Sequence, residues 1–101
     1  GEERFGVCLD IAHAHLSSCP LETWVEQLGP YVKHLHVNDN FGDEDSHFAV
    51  GDGDIDWKIL NHPLILEKKP SILLEVRNAE SFVRSAKYLK AHALYPYNGQ
   101  E

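Results

Sequence analysis

One pattern occurs three times in this sequence and limits what it can fold into. A short apolar run without clean alternation is followed each time by residues at helical spacing. The runs are Phe5 to Ile11, Tyr31 to Val37 and Ser71 to Val76. A strand with one wet face alternates apolar and polar residues, whereas a strand covered on both faces does not. The order strand, helix, strand, loop and helix, strand, helix is therefore that of βα units, with parallel strands joined by helical crossovers. Three such strands in 101 residues leave two open sheet edges, which invite further pairing. The pattern predicts the carboxyl-terminal part of a larger α/β protein, or a small unit whose edges pair with a second copy.

Local signals fill in the connections. Leu21, Trp24, Val25 and Leu28 fall on one helix face. Pro20 suits the first helical position, with Ser18 or Cys19 near the cap. Gly29-Pro30 is expected to stop that helix, with Gly29 in the left-handed conformation. Asn38 to Asp54 is a long polar loop, and loops of this length in a compact domain tend to be functional or disordered. A short helix is expected from Asp54 to Leu60, interrupted at His62-Pro63. Asn78 can cap a last helix with Phe82, Val83, Ala86 and Leu89 on its apolar face. Cys8 is expected in the core and Trp57 under the loop. The tail from Tyr95 looks irregular.

Composition narrows the function classes. The net charge is −7, which argues against a non-specific grip on a phosphate backbone. Bound metals could reverse that sign locally. No apolar run approaches the roughly 20 residues of a membrane-spanning helix, so no membrane association is expected. No secretory signal is visible, and Cys8 and Cys19 make no disulfide scaffold, so a cytoplasmic setting is expected. Neither Cys has a partner at Cys-x-x-Cys spacing for redox or zinc chemistry.

Histidine is the unusual component. There are seven, five of them between positions 13 and 47 among carboxylates. Ligands of α/β proteins bind beyond the carboxyl ends of the strands, and each strand here delivers candidates to that end. The first gives Asp10 and His13. The second gives His36, then Asn38 and Asp39, and the loop after it gives Asp45 and His47. The third gives Glu75. Imidazoles and carboxylates converging in this way form a metal-site composition. Asp45 and His47 would share a side in an extended loop. His34 shares a face with His36, one layer deeper, where it could orient a ligand. The alternative for Asp10 and Glu75 is a structural role, as a cap for a neighbouring helix. Gly51-Asp52-Gly53 lacks the Lys-Ser/Thr of a phosphate loop; its glycines are expected to let the backbone bend near the site.

Taken in order, Leu9-Asp10-Ile11-Ala12-His13, His34-Leu35-His36-Val37-Asn38-Asp39-Asn40, Asp45-Ser46-His47, Gly51-Asp52-Gly53-Asp54-Ile55-Asp56-Trp57 and Leu74-Glu75-Val76 resemble the xylose isomerase-like TIM barrel superfamily. That superfamily holds sugar isomerases and epimerases and the metal-dependent apurinic/apyrimidinic endonucleases. The resemblance runs from about residue 5 to residue 90. It implies that residues 1–101 are the C-terminal part of an eight-stranded barrel and supply its last three strands. It also implies that Asp10, His36 and Glu75 complete a divalent-metal site with an acidic ligand from an earlier strand. In the endonuclease branch, His13, Asp45 and His47 would hold a further zinc.

The two branches imply different chemistry. An isomerase or epimerase would act on a sugar or sugar phosphate through a metal-stabilised enediolate, with Glu75 and His13 as catalytic residues and manganese or zinc as cofactor. The endonuclease would use zinc to hydrolyse DNA phosphodiesters. The segment from Asn40 to His47 carries no Lys or Arg, whereas a DNA-handling loop should offer phosphate contacts. The sugar-enzyme reading is therefore preferred to the endonuclease. Against both stands a third reading, a non-catalytic barrel fragment. Catalysis needs its groups held by a complete frame, and 101 residues alone are not expected to be an efficient enzyme.

Overall fold

The computed structural model describes residues 6–99. Three strands form one parallel sheet in the order β1-β2-β3: β1 is Val7–Asp10, β2 is Val32–Val37 and β3 is Ser71–Leu74. Helices follow each strand. They are α1 (Ile11–Leu16) and α2 (Leu21–Leu28) after β1, α3 (Pro63–Lys68) before β3, and α4 (Ala79–Ala91) after it. Short 3-10 turns cover Gly29–Tyr31 and Trp57–Asn61. Three parallel strands alternating with helices are consistent with the last strands of a (β/α)8 barrel. Among the described residues no helix is long and apolar enough to cross a membrane.

Register explains the two faces of the sheet. Cys8 pairs with His34 and His34 with Ser71; Leu9 pairs with Leu35 and Leu35 with Ile72; Asp10 pairs with His36 and His36 with Leu73. Paired residues in a parallel sheet share a face. Leu9, Leu35 and Ile72 therefore face the helices, where Leu9, Leu35 and Val37 join Ile11, Val25, Trp57, Leu60, Ile65 and Leu89 in the core. The opposite face carries Cys8, Asp10, His34, His36, Ser71 and Leu73. The expectation of strands covered on both faces is met on the helix side only. Cys8 is exposed, not in the core, and Leu73 is 54% exposed. Both sit on the face that would point into a closed barrel.

The other corrections have local causes. Ile11 ends the first run by starting α1. Phe5 lies outside the described residues. Pro20 is the cap residue of α2, not its first helical residue, and the cap makes no side-chain hydrogen bond. Gly29 is right-handed, φ −48 and ψ −42, because the chain continues into a 3-10 turn. Its lack of a side chain serves close packing, since a Cβ there would lie 2.9 Å from Leu64. Asn78 caps α4 as expected, its Oδ1 accepting from the Ser81 N–H at 2.8 Å. Phe82 and Val83, assigned to the apolar face of α4, are 52% and 49% exposed, while Ser85 and Leu89 are buried. Phe82 flanks β3 at the open sheet edge, where it lines a groove with Leu73 and Tyr97.

Candidate metal centre

The loop from Asn38 to Asp56 is organised from within by Asp39, which is fully buried. Its Oδ1 accepts from the N–H of Asn40 at 2.9 Å and of Ile55 at 3.2 Å. Its Oδ2 accepts from the N–H of Gly51 at 2.9 Å and the indole N–H of Trp57 at 2.8 Å. A buried carboxylate needs such donors to offset its desolvation. Asp39, a strand-end candidate in the sequence, is thus the loop's anchor. Trp57 lies beneath the loop as expected. Gly51 has φ +97, a bend that suits glycine, and a Cβ on Gly53 would come within 2.3 Å of the Asn40 carbonyl. The two glycines therefore serve the loop in different ways.

This loop brings Asp45 and His47 to the carboxyl end of the sheet, where the three strand residues wait. One donor atom each from Asp10, His36 and Glu75 lies within 4.8 Å of the others. Donors around a single ion at about 2.0–2.2 Å stand no more than about 4.4 Å apart. The trio therefore needs only side-chain adjustment, with no movement of the strands, to close on a divalent cation. One imidazole and two carboxylates suit manganese or zinc. The trio's charges and half-buried setting fit the group.

Contacts run continuously through all six expected residues. Asp10 Oδ2 meets His13 Nδ1 at 3.1 Å, and His13 Nε2 meets Asp45 Oδ2 at 2.9 Å. Asp45 Oδ1 meets His47 Nε2 at 3.2 Å, and His47 Nδ1 lies 3.0 Å from the Glu75 carbonyl oxygen. His36 Nδ1 meets Glu75 Oε1 at 2.7 Å. Asp45 and His47 do share a side, but not through an extended backbone. Ser46 is buried between them and His47 is left-handed at φ +54. A non-glycine residue adopts that conformation at a cost of about 1–2 kcal/mol. His13, Asp45 and His47 are linked pairwise through Asp45, whereas the close three-donor group is Asp10, His36 and Glu75.

The electrostatics follow from these contacts. The hydrogen bond to Asp45, helped by the charge of Asp10, raises the pKa of His13 above its ordinary value. The same bond, with the nearby imidazole of His47, lowers that of Asp45. A carboxylate on each ring nitrogen favours the protonated form of His13. Partial burial of the Cys8 thiol, then the charges of Asp10 and Glu75, push its pKa up, so it is no activated nucleophile.

Asp10 also does what its structural alternative predicted. Its Oδ1 accepts from the His13 backbone N–H at 3.0 Å and caps α1. The cap uses Oδ1, while Oδ2 meets the His13 ring. His34 makes its side-chain contact with the Ser71 hydroxyl, and among the described residues it has no hydrogen bond to Asp10, His36 or Glu75. Two further contacts join partners distant in sequence. His15 Nε2 meets Asp54 Oδ1 at 2.8 Å, tying α1 to the loop. Arg77 donates from Nε to the Ser46 carbonyl at 2.9 Å and lies over the Phe48 ring at 5.3 Å. The position of Arg77, two residues after Glu75, was the available signal for the second.

Comparison with known proteins agrees with the geometry. The profile of the xylose isomerase-like TIM barrel family matches residues 1–92. The chain belongs to that family. A solved structure of a D-tagatose 3-epimerase-like protein superposes with a TM-score of 0.72 at 28% identity, covering 94% of this chain and 36% of that one. An uncharacterised protein of Methanocaldococcus jannaschii is 31% identical over 94 residues, covering 89% of this chain and 32% of its own. A probable endonuclease 4 of Halothermothrix orenii is 37% identical over 89 residues, covering 69% and 32%. The chain therefore spans about a third of the length of the relatives it matches.

Proposed function

We propose that this chain is the C-terminal part of a divalent-metal-dependent sugar or sugar-phosphate isomerase or epimerase. The observation that carries the reading is the convergence of Asp10, His36 and Glu75 from three successive strand ends onto one point. These three residues would hold the cation, with manganese or zinc matching their donor set. Bound there, a divalent ion supplies Lewis acidity toward a carbonyl oxygen and makes the neighbouring C–H more acidic. Glu75 supplies the carboxylate that takes this proton and returns it. The contacts of His13 with Asp10 and Asp45 take up both of its ring nitrogens and fix the ring beside the site, so it reaches a substrate oxygen only by giving up the Asp45 contact. The loop anchored by Asp39 holds Asp45 and His47 beside the site.

The reading is tested with the complete barrel protein loaded with manganese. Ketoses and ketose phosphates are incubated in D2O and followed by NMR. The expected result is deuterium entering at the carbon beside the carbonyl, lost in Glu75→Gln. A second reading, phosphodiester hydrolysis, is favoured by the His13–Asp45–His47 chain, which offers donors for a further zinc. Cleavage of an abasic-site duplex by the zinc-loaded protein, with no solvent exchange into any ketose, would establish it in place of the first.

A further inference from the structure

We propose that Arg77 is the specificity residue of this site and binds the phosphate monoester of a small sugar phosphate. The inference rests on the sugar-enzyme reading and deepens it. Arg77 stands two residues beyond Glu75, so their Cα atoms are at most about 7 Å apart. It sits at the carboxyl end of β3, where ligands of such folds are held. Its guanidinium is fixed from two sides without being consumed. Nε donates to the carbonyl of Ser46, between Asp45 and His47, at 2.9 Å, and the Phe48 ring lies 5.3 Å from its central carbon. Among the described residues no carboxylate forms an ion pair with it. Arg84, by contrast, is taken up by Asp52 at 2.5 Å.

The two terminal nitrogens thus remain for an acceptor, already oriented by the Nε bond and the ring. A planar fork suits two oxygens of a phosphate. The segment from Asn40 to His47 brings acids and no Lys or Arg to the mouth, and Arg77 offers it an anchored guanidinium. The surroundings suit a small carbohydrate. Phe48 meets Phe41 edge-on at 5.8 Å, and Phe41 is 55% exposed at the lip. Together they offer an apolar ledge beside the cation for the C–H surface of a sugar. A single anchored arginine matches one terminal phosphate, whereas a DNA strand would call for a track of cations along its backbone.

The test uses the manganese-loaded complete protein and two variants, Arg77→Gln and Arg77→Lys. Calorimetry with inorganic phosphate reads the anion site directly, and bound manganese is measured on the same samples. Arg77→Gln is expected to weaken phosphate binding at least tenfold with manganese content unchanged. Arg77→Lys should recover only part of it, because lysine cannot reproduce the Nε bond to Ser46. Where exchange into ketoses is measurable, Arg77→Gln should raise KM for the phosphate ester at least tenfold more than for the unphosphorylated ketose. Equal phosphate binding by wild type and Arg77→Gln overturns the proposal while manganese binding upholds the metal centre. Loss of manganese in Arg77→Gln would mean that Arg77 only supports the loop. An Arg77-dependent affinity for abasic duplex that exceeds that for phosphate would also overturn it.

Discussion

Replacing Asp39 with Asn leaves the size of the side chain almost unchanged and removes one acceptor oxygen. Each carboxylate oxygen of Asp39 receives two donors: the amides of Asn40 and Ile55 on one, the amide of Gly51 and the Trp57 indole on the other. Whichever way the new carboxamide is turned, its NH2 faces two N–H groups, so two of the four hydrogen bonds are lost. Hydrogen bonds to charged groups contribute about 1.5–3 kcal/mol each, which places the cost of Asp39→Asn at about 3–6 kcal/mol. Against a typical total of about 5–15 kcal/mol this is a large fraction. Urea unfolding followed by the fluorescence of Trp24 and Trp57 should show a lower midpoint, with the slope preserved if the denatured state is unchanged. Because Asp39 ties Gly51, Ile55 and Trp57 to the strand end that carries His36, the loop bearing Asp45 and His47 should loosen as well. A cost below about 1 kcal/mol would refute the reasoning, since it would mean that the donors find other acceptors at little cost.

Other expectations are checked more briefly. Gly53→Ala would set a Cβ within 2.3 Å of the Asn40 carbonyl and 2.4 Å of Asp39 Oδ1. It should destabilise by about 1–3 kcal/mol in the same urea assay, as overpacking does. The His13–Asp45 pair makes stability depend on pH. The pKa of His13 is raised on folding, so its contribution is complete below its unfolded value and is lost as pH rises through the folded value. The pKa of Asp45 is lowered, so its contribution is present above its unfolded value and is lost as pH falls through the folded one. With ordinary values of 3.8 for Asp45 and 6.5 for His13, both contributions are whole between those limits. The stability gap between wild type and His13→Ala should be widest there and should narrow above it. A gap that grows with rising pH would reverse the assigned sign.

The strands, the parallel topology, the α4 cap and the strand-end placement of Asp10, His36 and Glu75 were legible in the sequence because each depends on local pattern. Apolar runs mark buried strands, and Asn78 precedes a helical stretch at capping distance. What escaped depends on partners distant in sequence. Cys8, Leu73 and Phe82 are apolar and read as core, yet a face is covered only by elements that pack on it. Gly29 looked like a left-handed stop, but its space is claimed by Leu64 of α3. Asp39 looked like a ligand because it follows His36 at a strand end; its four donors come from residues 1 to 18 positions further on, which no local pattern announces. Asp45 and His47 converge as expected but through the left-handed turn of His47, since alternation describes only extended chain. Arg77 offers little to a phosphate reading from sequence alone, because its placement comes from Ser46 and Phe48, some thirty residues earlier.

The central claim is that three strand ends build one divalent-metal site, and bound manganese counted per chain tests it most directly. The protein is saturated with manganese, freed of excess and analysed beside a His36→Ala/Glu75→Ala double variant. The account predicts at least one tightly held ion per wild-type chain and its loss in the double variant, with folding retained by circular dichroism. Equal manganese in the two proteins, or none in the wild type even after zinc is offered in its place, would contradict it.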